Sequence, residues 1–233
     1  MNSFFRSGLF RIRSSSRSTK KPGKSSDLPL KTRNCQNRRS AGFFCLVLLF
    51  KTAFTDKPRK ILTMDRILII GSPGSGKSTL GRKLSQITGI PLVYLDMIWH
   101  KSDGSHIRQE EFGQKLSKVI AQKNWIIDGN YARTLPERIN ACDTVIYLHY
   151  PTALCMESIQ NRIGTKRPDL PWTETILDPD FRDYVEHFYE HKEASIENLL
   201  RKARAEGKTV LEFFSRSEAD KWLSQLKQKT ISR

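Results

Sequence analysis

The chain has 233 residues, with 40 Lys+Arg against 24 Asp+Glu, 38% hydrophobic and 27% charged residues. That apolar share excludes a wholly disordered chain, 13 Gly and 10 Pro exclude a collagen-like or low-complexity protein, and no apolar run reaches the ~20 residues of a membrane-crossing helix. Four cysteines (Cys35, Cys45, Cys142 and Cys155) without a C-x-x-C pair exclude a disulfide scaffold and read as free thiols in a reducing, cytoplasmic setting.

Residues 1–63 hold 15 of the 40 basic residues but only Asp27 and Asp56 of the acids, a balance of +13. Met1 to Ser40 is rich in Ser, Arg and Lys without periodicity, and is expected to be disordered because it buries too little apolar surface to offset its ordering entropy. The apolar run Ala41–Phe50 is short for a membrane span and ends at Lys51. This extension reads as a transit peptide, an interfacial anchor or a basic arm for nucleic acid. The plainest reading is a silent segment, upstream sequence translated from a start placed ahead of Met64. Residues 64–233 hold the other 25 basic residues against 22 acids, a balance of +3. That is an ordinary enzyme-like charge and makes DNA an unfavoured partner for this region.

From Met64 strands and helices alternate. Ile67–Ile70 reads as a buried strand closed by Gly71, and Leu80, Leu84 and Ile87 mark a helix stopped by Gly89 and Pro91. Leu92–Leu95 is a second strand, Phe112, Leu116, Val119 and Ile120 a second helix, and Trp125–Ile127 a third strand. Leu135 and Ile139 sit on a short helix that Pro136 can start, before a fourth strand at Thr144–Leu148. Cys155, Ile159 and Ile163 mark a further helix. Phe181, Tyr184, Val185 and Phe188, then Ile196, Leu199, Leu200 and Ala203, mark one long helix ending at Gly207. Thr209–Phe213 is a fifth strand, and a last helix carries Ala219, Trp222, Leu223 and Leu226 with Ser217 as its N-cap. Almost wholly apolar strands separated by helices predict an α/β fold, a parallel sheet covered on both faces.

Gly71-Ser72-Pro73-Gly74-Ser75-Gly76-Lys77-Ser78-Thr79 fits G-x-x-x-x-G-K-[ST] between a strand and a helix. Glycines let such a backbone wrap closely around phosphates, and the helix N-terminus adds partial positive charge. Lys77 can reach the β- and γ-phosphates, and the Ser78 hydroxyl can ligate Mg²⁺, so ATP and Mg²⁺ are the expected cofactors. The glycines do not follow G-x-G-x-x-G, which excludes a dinucleotide loop. Asp96 and Asp128 fall at strand ends, where ligands bind in open parallel sheets. Asp96 is the better candidate to hold or deprotonate an acceptor hydroxyl, and Asp128 to act on Mg²⁺ or its waters, although spacing leaves the two roles interchangeable. Arg162, Lys166 and Arg167 form a candidate lid that stabilises the transferring phosphoryl group, and Arg133 follows Asp128-Gly129-Asn130-Tyr131. Trp99 and Trp172 read as packing under that lid or as stacking surfaces, with Trp99, Tyr131 and Arg133 as candidate substrate-side residues. His187 and His191 read as a solvated helix face, and Cys142 and Cys155 as small buried hydrophobes.

Gly71–Thr79, Tyr94-Leu95-Asp96-Met97-Ile98-Trp99-His100-Lys101 and Trp125-Ile126-Ile127-Asp128-Gly129-Asn130-Tyr131 together resemble the bacterial DNA topology modulation proteins of the FlaR type. Leu135-Pro136-Glu137-Arg138, Cys142–Leu148, Arg167-Pro168-Asp169 and Ser215-Arg216-Ser217-Glu218-Ala219 continue the resemblance over roughly residues 64–228. That family is similar to adenylate kinases and shikimate-type kinases. The resemblance implies a three-layer P-loop fold with strand order 2-3-1-4-5 and Mg²⁺-ATP at Gly71–Thr79. It also implies a lid carrying Arg162 and Arg167, and an acceptor pocket near Asp96, Asp128 and Arg133. The leading expectation is a kinase for a small-molecule phosphoryl acceptor, a monomer or weak dimer. The alternatives are a nucleotide-dependent regulator of DNA topology and a non-catalytic ATP-binding interaction module.

Overall fold

The computed structural model describes residues 64–231. The readings of residues 1–63 made above lie outside the described residues.

The chain runs β1 (Arg66–Gly71), α1 (Lys77–Thr88), β2 (Leu92–Tyr94), α2 (Leu95–Trp99), α3 (Gln109–Ile120) and β3 (Trp125–Asp128). After a 3₁₀ turn (Ala132–Thr134) come α4 (Leu135–Ala141), β4 (Thr144–Leu148), α5 (Thr152–Arg162) and α6 (Pro179–Glu186). The chain closes with α7 (Phe188–Ala205), β5 (Thr209–Phe213) and α8 (Arg216–Ile231). The five strands form one parallel sheet in the order β2-β3-β1-β4-β5, the three-layer P-loop arrangement that the family resemblance implies. Among the described residues, no helix is long and apolar enough to cross a membrane.

The continuous apolar strands are explained by the side-chain period of two. In β1, Ile67 and Ile69 join the cluster under α1, α5 and α8, whereas Leu68 and Ile70 join the cluster under α3, α4 and α7. Val145 and Tyr147 divide from Ile146 and Leu148 in the same way. Each of the four β1 isoleucine and leucine side chains is fully buried, so both faces of the strand must be apolar.

Several expected boundaries change: Leu95 begins α2 instead of ending β2, Ile163 lies just past α5, and two more changes concern the later helices. The long helix expected from Phe181 to Gly207 is two helices, broken at His187, whose backbone leaves helical geometry at φ −103°, ψ 15°. The break lets Val185 pack in one cluster and Phe188 in the other, which a single straight helix cannot do. The N-cap of the last helix is Ser215, not Ser217. The Ser215 hydroxyl accepts from the Glu218 N–H at 3.3 Å, and the Glu218 carboxylate reaches back to the Phe214 N–H at 2.8 Å. This S-x-x-E pair is a variant of the capping box, with the glutamate bonding one residue before the cap, and the sequence reading placed the cap two residues too late.

Candidate active site

β1 has β3 on one side and β4 on the other, so the chain switches faces here. The crevice beyond the C-terminal ends of β1 and β3 is where an open α/β sheet binds ligands. The loop from Gly71 to Gly76 opens into that crevice and leads directly into α1. Its shape rests on backbone freedom. Gly74 has φ +79°, and a Cβ there would lie 2.2 Å from the Cys155 carbonyl oxygen on α5. Any other residue at Gly74 would therefore be strained and would also push the loop off α5. The loop is tied down at its start by Asn130, whose side chain accepts from the Gly71 N–H at 3.2 Å and donates to the Gly71 carbonyl at 2.7 Å. The amide thus behaves like an added strand residue and locks the loop to the end of β3.

Lys77, Ser78 and Asp128 come together as the motif requires. The Lys77 ammonium donates to the Gly71 and Ser72 carbonyls at 3.1 and 3.0 Å. Burial pulls its pKa down, and the carboxylates of Asp128 and Asp96 push back up. Asp128 is the last residue of β3 rather than just beyond it, and pairs in register with Ile69 and Tyr94. It is 6% exposed, and burial raises its pKa to about 6, against the pull of Lys77 and the Ser78 hydrogen bond. Its Oδ2 lies 2.6 Å from the Ser78 hydroxyl, while its Oδ1 is buried with no hydrogen-bond partner. A buried lysine, a hydroxyl and a carboxylate with an unused oxygen, set around a glycine-built loop, fit a metal-bound polyphosphate.

Asp96 sits on α2, not in a loop. Leu95 is fully buried and begins a short helix, which turns Asp96 toward the phosphate loop; both Lys77 and Arg162 feel its charge. Its Oδ1 accepts from the Tyr131 hydroxyl at 2.8 Å. Burial and the Asp96 carboxylate raise the Tyr131 pKa far above the ordinary phenol value, so Tyr131 stays a donor. Tyr131 has φ +28°, a costly conformation for an aromatic residue. Arg138 holds it there. This guanidinium is fully buried and donates to the Gly129 carbonyl at 2.6 Å, to the Tyr131 carbonyl at 3.0 Å and to the Asn130 carbonyl. Burial lowers the Arg138 pKa to about 9.

Trp99 stacks on His106 at 4.6 Å and meets Phe112 and Tyr131 edge-on, so it forms the aromatic wall behind Tyr131. Trp172 meets His100 edge-on at 4.7 Å. Arg133 is exposed on the 3₁₀ turn, and Thr79 is exposed beside Arg82, which donates to its hydroxyl at 3.2 Å. Both side chains stand away from the Lys77–Asp128 cluster's buried centre.

The segment between α5 and α6 carries Arg162 and Arg167. Glu174 ties them together, with its Oε2 at 3.3 Å from Arg162 Nε and 3.5 Å from Arg167 Nη2. Burial and the neighbouring Arg167 lower the Arg162 pKa, while Glu174, Asp169 and Asp96 oppose the shift. Asp169, 8% exposed, lies 3.8 Å from Arg167 Nε through Oδ1 and 2.8 Å from the Ser78 hydroxyl through Oδ2. Lys166 is exposed.

Asn130, Arg138, Asp169 and Glu174 were not singled out as site residues from the sequence. Each had a faint signal: an amide after an Asp-Gly turn, an arginine on an apolar helix face, and two acids interleaved with the lid arginines. Apart from this cluster, His149, Tyr150, Tyr189 and Phe214 line an open depression of about 370 Å³ at the ends of β4 and β5.

No protein-family model matches the chain. Shikimate kinases from two strains of Clostridium botulinum, 657 / Type Ba4 and Okra / Type B1, are 26% and 28% identical to it over 145 residues. The alignments cover 55% of this chain and 81% of each enzyme. The structure of shikimate kinase from Acinetobacter baumannii in complex with shikimate covers 73% of this chain and 94% of its own, at 17% identity and a TM-score of 0.49. A gluconokinase from Sinorhizobium meliloti 1021 covers 72% and 90% at 15% identity, with a TM-score of 0.39.

Proposed function

We propose that residues 64–233 form a small-molecule kinase that transfers the γ-phosphoryl group of ATP to a hydroxyl of an acceptor. The observation that carries this reading is the convergence of Lys77, Ser78 and Asp128 on the phosphate loop, with Asp96 turned toward the same cluster. The likeness in sequence to shikimate kinases supports it. The order of Leu95-Asp96-x-x-Trp99 and Asp128-Gly129-Asn130-Tyr131 supports a place among adenylate-kinase-like proteins of the topology-modulation type. The charge balance of +3 over residues 64–233 favours a small acceptor over DNA.

ATP supplies the electrophilic phosphorus, and Mg²⁺, when bound, offsets charge on its phosphate oxygens. The loop amides and Lys77 hold the phosphates, while Ser78 and Asp128 hold the cation. Tyr131 occupies Oδ1 of Asp96, which leaves Oδ2 to receive the acceptor's hydroxyl proton. That proton leaves as the acceptor oxygen forms the new P–O bond and ADP departs. Arg162 and Arg167 stabilise the charge that develops on the transferring oxygens, once drawn from Glu174 toward the phosphate.

The test is ADP release by the full chain with Mg²⁺-ATP over hydroxy acids, sugars, nucleosides and nucleoside monophosphates. One acceptor class should raise turnover well above the acceptor-free rate. ATP binding with no acceptor effect anywhere in the panel would favour the interaction-module reading. Removing residues 1–63 should leave that turnover unchanged, because every group invoked lies after Met64.

A further inference from the structure

Ser78 carries one hydroxyl hydrogen, yet two carboxylate oxygens lie against its Oγ: Asp128 Oδ2 at 2.6 Å and Asp169 Oδ2 at 2.8 Å. One hydrogen serves one of them well. The other meets the hydroxyl oxygen lone pair to lone pair, a repulsive contact in a site where both acids are more than nine-tenths buried. Asp128 Oδ1 adds a third acceptor in the same place with nothing donating to it. Acceptor atoms are in excess here, and donors are short.

The two acids come from different parts of the chain. Asp128 ends a central strand, and Asp169 belongs to the segment between α5 and α6, 91 residues from Ser78 in sequence. The other oxygen of Asp169 faces Arg167, whose guanidinium shares Glu174 with Arg162. Asp169 is thus a link between the phosphate loop and the arginine-bearing segment. An interaction at its carboxylate reaches both.

We propose that Asp169 completes a divalent-cation site with Ser78 and Asp128, so that the cation itself holds the segment carrying Arg162 and Arg167 against the phosphate loop. A hard dication accepts oxygen donors from carboxylates and hydroxyls and resolves the excess of acceptors in one step. Charge on the cation is offset partly from the lid, before any nucleotide arrives. The segment is then held in place by the metal as well as by phosphate.

This inference rests on the reading of Ser78 and Asp128 as the cation-holding side of the site. The experiment therefore uses Mn²⁺ alone, without nucleotide or acceptor, and the full chain as wild type, Asp169→Asn and Asp128→Asn. Free Mn²⁺ is followed by electron paramagnetic resonance, and trypsin cleavage after the exposed Lys166 is timed in parallel. The expected result is one bound Mn²⁺, affinity weakened at least tenfold in each variant, and trypsin cleavage slowed by Mn²⁺ in wild type but not in Asp169→Asn. Mn²⁺ affinity of Asp169→Asn within twofold of wild type, with Asp128→Asn weakened, overturns the role of Asp169 and leaves the cation reading standing. Equal affinity in all three, or no binding by wild type, overturns both. If a variant fails to fold, wild type labelled with ¹³C at the aspartate carboxyls replaces it. Electron-nuclear double resonance on bound Mn²⁺ should then show carbon couplings from two carboxyl groups, and coupling from one alone contradicts the proposal.

Discussion

The two sides of the crevice are built by different means. The phosphate side is a backbone structure: glycines at forced dihedral angles, a helix N-terminus, and Asn130 acting as a peptide unit against Gly71. The side proposed here to take the acceptor and carry the lid is made by side chains from α2, the turn after β3 and the segment between α5 and α6, held by Arg138, Tyr131 and Glu174. A backbone-built surface depends on few side chains beyond its glycines, here Lys77, Ser78, Asp128 and Asn130. A surface built from side chains fails wherever one supporting bond is lost.

Substitutions on each side should reveal that difference. On the phosphate side, Lys77→Ala should lower phosphoryl transfer a thousandfold or more, roughly the 4 kcal/mol expected of a lost charge-stabilising donor in a dry site. Its melting curve should stay close to wild type; turnover at the wild-type rate would remove the phosphate-loop assignment. On the acceptor side, Arg138→Ala should unfold more than it inactivates. Four carbonyls, of Gly129, Asn130, Tyr131 and Thr134, lose a donor, at a cost of about 3 kcal/mol or more, and the melting temperature should fall by roughly 10 °C.

Asp128→Asn should separate stability from function. The raised pKa of about 6 means that the folded state prefers the protonated acid. Ionisation of Asp128 therefore costs nothing below its unfolded value near 4, costs progressively more as pH rises, and costs its full amount above about 6, where it reaches about 3 kcal/mol. The variant should melt higher than wild type at pH 7, the gap should close as pH falls toward 4, and transfer should be lost throughout. An unchanged or lowered melting temperature at pH 7 would show that Lys77 and Ser78 fully compensate the buried charge. The smallest effect is expected from Tyr131→Phe, which removes one hydrogen bond to Asp96. About 1 kcal/mol corresponds to a loss of up to tenfold in kcat/KM, with nucleotide binding unaffected.

The same division explains what could be read from the sequence. The parallel sheet, the phosphate loop and the placement of Asp128 follow from local pattern, namely apolar runs, a nine-residue motif and an acid at a strand end, whereas the strand order came only from the family resemblance. The break at His187 was invisible because the apolar spacing runs straight through it; only the two separate cores demand the change of direction. Asp169 and Glu174 gave only the faint signal of acids interleaved with arginines, because their meaning depends on partners brought in by folding, Ser78 in one case and the paired arginines in the other. Arg138 entered only as the last residue of the Leu135-Pro136-Glu137-Arg138 stretch of the resemblance, with no role of its own. Its burial is dictated by the carbonyls of Gly129, Asn130 and Tyr131, which the preceding turn directs inward.

The central claim is transfer to an acceptor rather than loss to water. ³¹P nuclear magnetic resonance of the full chain with Mg²⁺-ATP and the activating acceptor measures it directly. A new phosphomonoester resonance growing in step with ADP, and absent for Lys77→Ala, is the predicted result. ADP accompanied only by inorganic phosphate, or ATP left intact across the whole acceptor panel, would contradict the assignment.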